Sequence, residues 1–444
     1  MASLQFFDRP EIGQRAILVQ LDLPGDSADL DELHELARSA GLEPVVRFRA
    51  SRAKPAPGHF LGSGKVDELA AAALQFDAGI VLFNHELSSS QERNLERRLG
   101  LRVLDRTGLI LIIFALRART HEGQLQVELA QLQHLSSRLV RGWSHLDRQK
   151  GGVGLRGAGE TQLELDQRML RQRTQRVEQR LEAVRKRRAE GRRARRRGEI
   201  PVLSLVGYTN SGKSTLFNAL TGADTFAADQ LFATLDSTLR RIELPHLGPA
   251  ILADTVGFIR QLPHQLIEAF RATLEESREA DLLLQVIDSA DADQQERSQE
   301  VEAVLAEIGA DTVPRLRICN KIDLVDGLSP RLERDSQGRP TRVWLSARSG
   351  AGLDLLRQAL AELLQPDWVE EELRLPPSLG RLRARLYALG AVFGETTDES
   401  GISRVAVRFS GQALSRLLAR EGIDPAALGG SQRLRQLAAS PAPP

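Results

Sequence analysis

Gly207-Tyr208-Thr209-Asn210-Ser211-Gly212-Lys213-Ser214 follows an apolar run, Val202 to Val206, and precedes a helical stretch, Thr215 to Leu220. A buried strand, a glycine-bounded loop carrying lysine and a hydroxyl, and then a helix form the phosphate-loop arrangement. The glycines let backbone N–H groups turn inward around phosphate, and the helix N-terminus adds further unpaired donors and a favourable dipole. Lys213 is placed to reach the β- and γ-phosphates, and the Ser214 hydroxyl to ligate Mg²⁺. The stretch therefore predicts a doubly wound α/β domain built outward from residue 202.

Partners for this loop occur downstream in the order such a domain requires. Asp254-Thr255-Val256-Gly257 ends an apolar strand and puts a carboxylate beside the metal position and a glycine N–H near the γ-phosphate. Asn320-Lys321-Ile322-Asp323 follows a strand ending at Cys319. A carboxylate at Asp323 can accept both N1–H and the 2-amino group of guanine, donors that adenine lacks, so the nucleotide is GTP. Ser346-Ala347, after a further strand, suits a backbone contact to guanine O6. Each motif alone is ordinary turn chemistry; together, at strand C-terminal ends, they predict a GTP site. Between the loop and Asp254 lies Phe232-Ala233-Thr234, where Thr234 is assigned the hydroxyl on Mg²⁺ and the N–H that senses the γ-phosphate. The metal set is then Ser214, Thr234 and Asp254, and the catalytic set Lys213, Asn210, Thr234 and Gly257.

Phe258 follows Gly257, where many switch GTPases carry a glutamine that orients the attacking water. A phenyl ring cannot do so, which predicts slow intrinsic hydrolysis. Asn210 is either a ligand for K⁺ placed against the phosphates or a residue that only caps the loop.

Strand-like runs at Leu239 to Leu244, Ile251 to Ala253, Leu282 to Ile287, Leu316 to Cys319 and Arg342 to Leu345 complete a domain over 199–365. Upstream, Ala16 to Leu23, Val45 to Phe48, Gly79 to Phe83 and Leu101 to Leu104 alternate with amphipathic segments, predicting a small, largely parallel α/β domain over 1–106. Residues 107–198 lack strand signals. Leu125, Leu129, Leu132 and Leu139 share one face, Leu163, Leu170, Val177 and Val184 recur at sevens, and Gly142 to Gly159 is glycine-rich. Two long antiparallel helices joined by a glycine-rich tip account for that pattern. After Pro366, Val405, Val407 and Phe409 alternate as a strand, predicting a small α/β module over 366–444 with a loose tail.

With 444 residues, 41% hydrophobic and 27% charged, the composition fits several globular domains at roughly 150 residues each and disfavours disorder. The net charge of +1 hides an asymmetry, because Glu160 to Arg197 holds fourteen basic against six acidic residues. That density fits either a polyanion contact or a solvated helix face. The longest apolar run, Leu109 to Leu116, is too short to span a bilayer, which needs roughly 20 residues. The single cysteine, Cys319, and an N-terminus without a secretory pattern lead to the expectation of a cytoplasmic protein. Gly62-Ser63-Gly64-Lys65 resembles a second phosphate loop but fails as one: His59 stands where glycine is needed and Val66 replaces the hydroxyl. It reads as a turn entering a helix over Val66 to Gln75. No Cys/His spacing fits a metal site.

These motifs, together with Gly151-Gly152-Val153-Gly154-Leu155-Arg156-Gly157-Ala158-Gly159-Glu160 and Asp105-Arg106-Thr107-Gly108-Leu109-Ile110-Leu111, resemble the HflX family of ribosome-associated GTPases. The resemblance covers about residues 10 to 365, and the glycine-rich segment is its most specific part. It implies a GTP hydrolase that is slow alone and stimulated by ribosomes. It also implies binding to the large (50S) ribosomal subunit and its rRNA, splitting of stalled or stressed ribosomes, a monomeric state and no membrane span. Its nucleotide contacts fall on Gly207, Tyr208, Thr209, Asn210, Ser211, Gly212, Lys213, Ser214 and Thr215. They continue on Phe232, Ala233 and Thr234, on Asp254, Thr255, Val256 and Gly257, and on Asn320, Lys321, Asp323, Ser346 and Ala347. GTP or GDP and Mg²⁺ are the implied cofactors, with K⁺ a further one. Ala158 stands where members commonly have proline, and Ile112 and Leu116 make the helix after Thr107 more apolar than usual. The alternatives are an RNA-processing or ribosome-assembly GTPase, and an RNA-binding regulator in which nucleotide only sets affinity.

Overall fold

The computed structural model describes residues 10–24, 30–143, 158–197, 200–222, 231–232, 234–245, 247–260, 271–364, 368–388, 391–398, 401–410 and 423. By internal contacts the chain forms two units, Met1–Ala359 and Leu360–Pro444.

The first unit opens with four parallel strands, β1 (Arg15–Asp22), β2 (Glu43–Ser51), β3 (Ile80–Phe83) and β4 (Arg102–Asp105), in the order β2-β1-β3-β4. Side chains alternate across a strand, so an apolar run with no polar interruption must bury both faces. Ala16, Leu18, Ile80, Leu82 and Leu104 face a core with α1 (Leu30–Ser39) and α4 (Arg106–Arg117). Ile17, Val19, Val81, Phe83 and Val103 face the opposite core, with α2 (Ser63–Gln75) and Leu95 of α3 (Ser89–Leu99). The run Leu109 to Leu116 forms most of α4. Residues Leu109 through Phe114 are buried, Ile112 among them, whereas Leu116 is exposed.

Helix α5 (His121–Trp143) follows, and after it α6 (Ala158–Arg197). Leu125, Leu129 and Leu132 pack on Val177 and Leu181, with Leu170 partly covered. The Arg173 Nε donates to Glu128 at 2.5 Å alongside. The two long helices of the sequence reading are thus present and paired; the tip over 144–157 lies outside the described residues.

Seven strands follow: β5 (Val202–Val206), β6 (Thr238–Leu244), β7 (Gly248–Asp254), β8 (Leu282–Asp288), β9 (Arg315–Asn320), β10 (Arg331–Arg334) and β11 (Pro340–Trp344). Their order is β10-β11-β9-β8-β5-β7-β6, parallel except for the antiparallel edges β6 and β10. The chain runs from β5 outward to β7 and returns on the other side of β5 as β8. The crevice at the end of β5 is therefore the switch point where such sheets bind ligands. Helices α7 (Lys213–Thr221), α8 (Arg271–Arg278), α9 (Gln294–Glu307) and α10 (Leu353–Leu364) accompany the sheet. Strand β10 was not anticipated: its Arg-Leu-Glu-Arg has no apolar run, and it forms by pairing across the Asp335–Gly338 turn with β11.

In the second unit β12 (Trp368–Leu375), β13 (Val392–Thr397) and β14 (Ser403–Ser410) form an antiparallel sheet in the order β12-β14-β13. Leu373, Leu375, Val405 and Val407 bury against Leu382 and Leu386 of α11 (Gly380–Ala388). Of these strands only the one through Val405 and Phe409 shows as an alternating pattern in the sequence.

No described helix is long and apolar enough to cross a membrane, and no group of three His, Cys, Asp or Glu among the described residues could hold a metal ion.

Candidate nucleotide site

The loop 207–212 leaves β5 at the switch point and enters α7 at Lys213. Gly212 has φ +92°, and a Cβ there would lie 2.2 Å from the Asn320 Nδ2, so this turn needs glycine for both conformation and space. Beyond it opens a cleft of about 520 Å³ lined by Thr209, Asn210, Gly212 to Thr215, Phe232, Thr234, Thr255, Gly257, Asn320, Lys321, Asp323 and Ala347. Small-molecule pockets run roughly 300–1,000 Å³, so the cleft takes a whole nucleotide and not merely a phosphate.

At the phosphate end, Lys213 is buried, and its Nζ donates to the carbonyls of Gly207 at 3.0 Å and Tyr208 at 2.7 Å. Burial lowers its pKa to about 8, with the Asp254 charge opposing that shift. Three oxygens converge nearby. Ser214 Oγ and Thr234 Oγ1 lie 2.8 Å apart, and they reach Asp254 Oδ2 at 2.9 and 2.7 Å. Burial pushes the Asp254 carboxyl up, against the pull of the Thr234 and Ser214 hydroxyls and the Lys213 charge. Its other oxygen, Oδ1, is buried with no hydrogen-bond partner. Two hydroxyls and a carboxylate with a spare oxygen are the hard donors that magnesium takes, so this triad fits the ion.

Thr209 N–H donates to the Phe258 carbonyl at 2.7 Å and Phe258 N–H to the Gly207 carbonyl at 3.1 Å, tying the segment after Gly257 to the loop. The Phe258 ring is buried with Val206, Tyr208 and Leu274, and it does not line the cleft. Thr255 Oγ1 donates to the Leu205 carbonyl at 2.5 Å. Asn210 sits exposed with φ +59° at the lip.

At the base end Asn320 is buried, donating from Nδ2 to the Ser211 carbonyl and accepting the Ala347 N–H on Oδ1, each at 2.9 Å. Lys321 pairs with Asp288 at 2.7 Å, and Asp323 stands exposed in a short turn of helix, Ile322–Leu324. Ser346 is buried next to Ala347.

Of the twenty-one residues assigned from sequence, fourteen line the cleft; Gly207, Ser211 and Asp254 are hydrogen-bonded to that lining, and Ser346 precedes Ala347 in it. Three others remain. Ala233 lies outside the described residues. Val256 is buried in the core shared with α1 and α4. The Tyr208 side chain goes elsewhere: its hydroxyl donates to Glu32 of α1 and accepts the Arg260 N–H at 2.7 Å. Arg106 at the start of α4 completes this junction. Its Nη2 reaches Glu32 at 2.5 Å and the Arg260 carbonyl at 3.0 Å, and its Nη1 reaches Asn84 at 2.9 Å. Leu231, Phe232, Leu235, Val256 and Ile259 belong to the same apolar core as α1 and α4, with Phe232 edge-on to Phe114 at 4.7 Å. Sequence reasoning missed this junction, because the residues it joins across the two domains, Glu32 with Tyr208 and Arg106 with Arg260, lie more than 100 positions apart and nothing local to either signals the other.

A phosphate loop at a sheet switch point, a hydroxyl-carboxylate triad and an Asn-x-x-Asp base motif define a P-loop GTPase. Family models described as "GTP-binding GTPase N-terminal", "GTP-binding GTPase Middle Region" and "50S ribosome-binding GTPase" match residues 27–115, 117–195 and 202–321. The chain is 55% identical over 404 residues to the GTPase HflX of Escherichia coli (strain K12), covering 90% of this chain and 95% of that protein. With the GTPase HflX of Caldanaerobacter subterraneus subsp. tengcongensis it shares 45% over 391 residues, covering 88% and 90%. The crystal structure of SsGBP in complex with GDP aligns at TM-score 0.47 and 26% identity over 79% of this chain and 98% of that one. The chain belongs to the HflX GTPase family: it binds GTP and GDP and hydrolyses GTP.

Proposed function

We propose that this protein binds the large ribosomal subunit and its rRNA in the GTP state, separates stalled or stressed ribosomes into subunits, and is released by hydrolysis. The observation that supports the reading most is the shared core. The segments carrying Thr234 and Gly257 share one buried core with α1 and α4, Phe232 meeting Phe114 at 4.7 Å, so a change at the phosphate end reaches the part of the molecule that bears the helical pair. The match to a family described as ribosome-binding supplies the partner. We place the protein in the cytoplasm as a monomer.

In this reading Lys213 holds the β- and γ-phosphates, exchanging the Gly207 and Tyr208 carbonyls for phosphate oxygens. Gly257 offers its N–H to the γ-phosphate, and Thr234 offers both N–H and hydroxyl. Ser214, Thr234 and Asp254 would hold Mg²⁺, which supplies charge neutralisation to the phosphates when bound. Asn210, at the lip, would hold K⁺. Asp323 takes the two donors of guanine, and the Ala347 N–H, fixed by Asn320, faces O6. With the Phe258 ring buried, no side chain at that position orients water, so turnover is slow until the ribosome completes the site.

Sedimentation of 70S ribosomes with the protein and a non-hydrolysable GTP analogue tests the reading. Conversion to 30S and 50S peaks, with GTP turnover raised by isolated 50S subunits, is the expected result. Intact 70S peaks with turnover indifferent to 50S would remove the splitting role.

A further inference from the structure

Asp236 stands two residues beyond Thr234, on the short stretch entering β6. Its carboxylate is occupied at the junction of α4 and α5. Oδ2 accepts the backbone N–H groups of Arg119 at 2.9 Å and Thr120 at 2.8 Å, and Oδ1 accepts the Thr120 hydroxyl at 2.6 Å. The same Thr120 oxygen accepts the Gly123 N–H at 3.0 Å, so it caps α5 while donating to Asp236. A negative charge beside a helix N-terminus is favourable, and here the donors would otherwise lack helical partners.

Gly123 explains how close this contact is. A Cβ at that position would lie 2.0 Å from Asp236 Oδ1. Glycine inside a helix costs about 1 kcal/mol relative to alanine. Gly123 lies in the first turn of α5, where the carboxylate approaches.

The other end of the segment is fixed at the phosphate position, where Thr234 Oγ1 meets Ser214 and Asp254. Two residues reach at most about 7 Å, so Thr234 cannot leave that position far without drawing Asp236 with it. The neighbouring anchors run to the same unit: Leu231 N–H donates to Ser39 Oγ at 3.1 Å, and Leu235 is buried in the shared core.

We propose that Asp236 is a positioning residue of the triphosphate state. It joins Thr234 to the N-terminus of α5, so that γ-phosphate occupancy and the seating of the first helix of the pair favour one another. Linkage makes the effect reciprocal: the factor by which the triphosphate strengthens the α5 contact equals the factor by which that contact strengthens triphosphate binding. The proposal rests on GTP binding and holds whatever partner meets the helical pair.

Gly123→Ala tests it from the far side of the contact, since alanine favours the helix while its methyl excludes the carboxylate. Affinities of the full-length protein for GDP and for a non-hydrolysable GTP analogue are measured with Mg²⁺, beside hydrogen exchange over residues 121–128. Charge-assisted hydrogen bonds contribute enough that the preference for the analogue over GDP should fall about tenfold. GDP affinity should stay within about twofold, a change near the size of a lost weak contact. Exchange over 121–128, slowed by the analogue and not by GDP in the native protein, should lose that distinction. Asp236→Ala should behave like Gly123→Ala, and Thr120→Ser should restore what Thr120→Val loses. A Gly123→Ala protein that keeps the native preference, or that loses both affinities alike, overturns the proposal. So does nucleotide-dependent protection that persists in the variant.

Discussion

At the base end of the cleft every contact lies within one domain: Asn320, at the end of β9, joins the loop after β5 at Ser211 to Ala347 after β11, all three strands belonging to one sheet. At the phosphate end, Thr234 and Gly257 ride on segments whose apolar side chains are buried against α1 and α4 and whose polar groups reach Arg106 and the α5 N-terminus, while Tyr208 of the loop reaches Glu32. A base pocket need not change between GTP and GDP, and strand ends hold it rigid. In the proposed reading Thr234 and Gly257 sense the γ-phosphate and must move, and they are borne by contacts that reach the N-terminal helices.

Arg106→Met should break the second arrangement most severely. It leaves Glu32 buried without its cation, both side chains being less than a tenth exposed, and the loss of a buried pair's partner costs about 3–5 kcal/mol. Chemical denaturation of the whole protein reads this directly. If the loss is below about 1 kcal/mol, the junction is peripheral and the comparison fails.

Asp323→Asn tests the base end. Losing two charge-assisted hydrogen bonds should weaken GTP and GDP equally, by roughly 100-fold, and turn preference toward xanthosine nucleotides. A change confined to GTP would mean that the base end also senses the γ-phosphate.

Helix α5 has a second mooring, where Arg138 serves both Glu92 and Asp105. One cation shared by two carboxylates leaves burial dominant, and the Glu92 carboxyl is raised to about 7 from 4.5. A carboxyl raised on folding binds more protons folded than unfolded, so its contribution to stability falls as pH rises from 4.5 to 7. Glu92→Gln removes that dependence. Its stability relative to the native protein should improve by about 2 kcal/mol between pH 5.5 and 8, as thermal or urea unfolding at the two pH values would show. A difference independent of pH would assign the mooring to packing alone.

Tyr208→Phe carries the smallest expected effect. The hydroxyl links Glu32 to the Arg260 N–H, and its removal should cost about 1 kcal/mol of stability by denaturant unfolding while leaving guanine selectivity intact. Altered base preference would place Tyr208 in the nucleotide's own contacts.

The difference between the two ends also explains what could be read from the sequence. The residues from Gly207 to Ser214, Asp254, Asn320 and Asp323 form local motifs whose chemistry requires particular residue types at fixed spacing. Their strands show as apolar runs because parallel strands are covered on both faces. The Asp236–Thr120 and Glu32–Tyr208 pairs have no such signature, since a carboxylate on a helix and a threonine before one are common everywhere. Strand β10 escaped notice for a related reason: edge pairing needs backbone groups only, and Arg331–Arg334 carries no apolar pattern.

The core that joins α4 to Phe232, Val256 and Ile259 also bears on inheritance. A phosphate-loop domain with polar outer faces can be moved between proteins as a cassette. This one cannot be lifted out at Pro201 without baring a greasy patch that its own sheet does nothing to cover, and the N-terminal unit would be stripped along α4 in turn. A substitution on either surface must therefore be accommodated by the other.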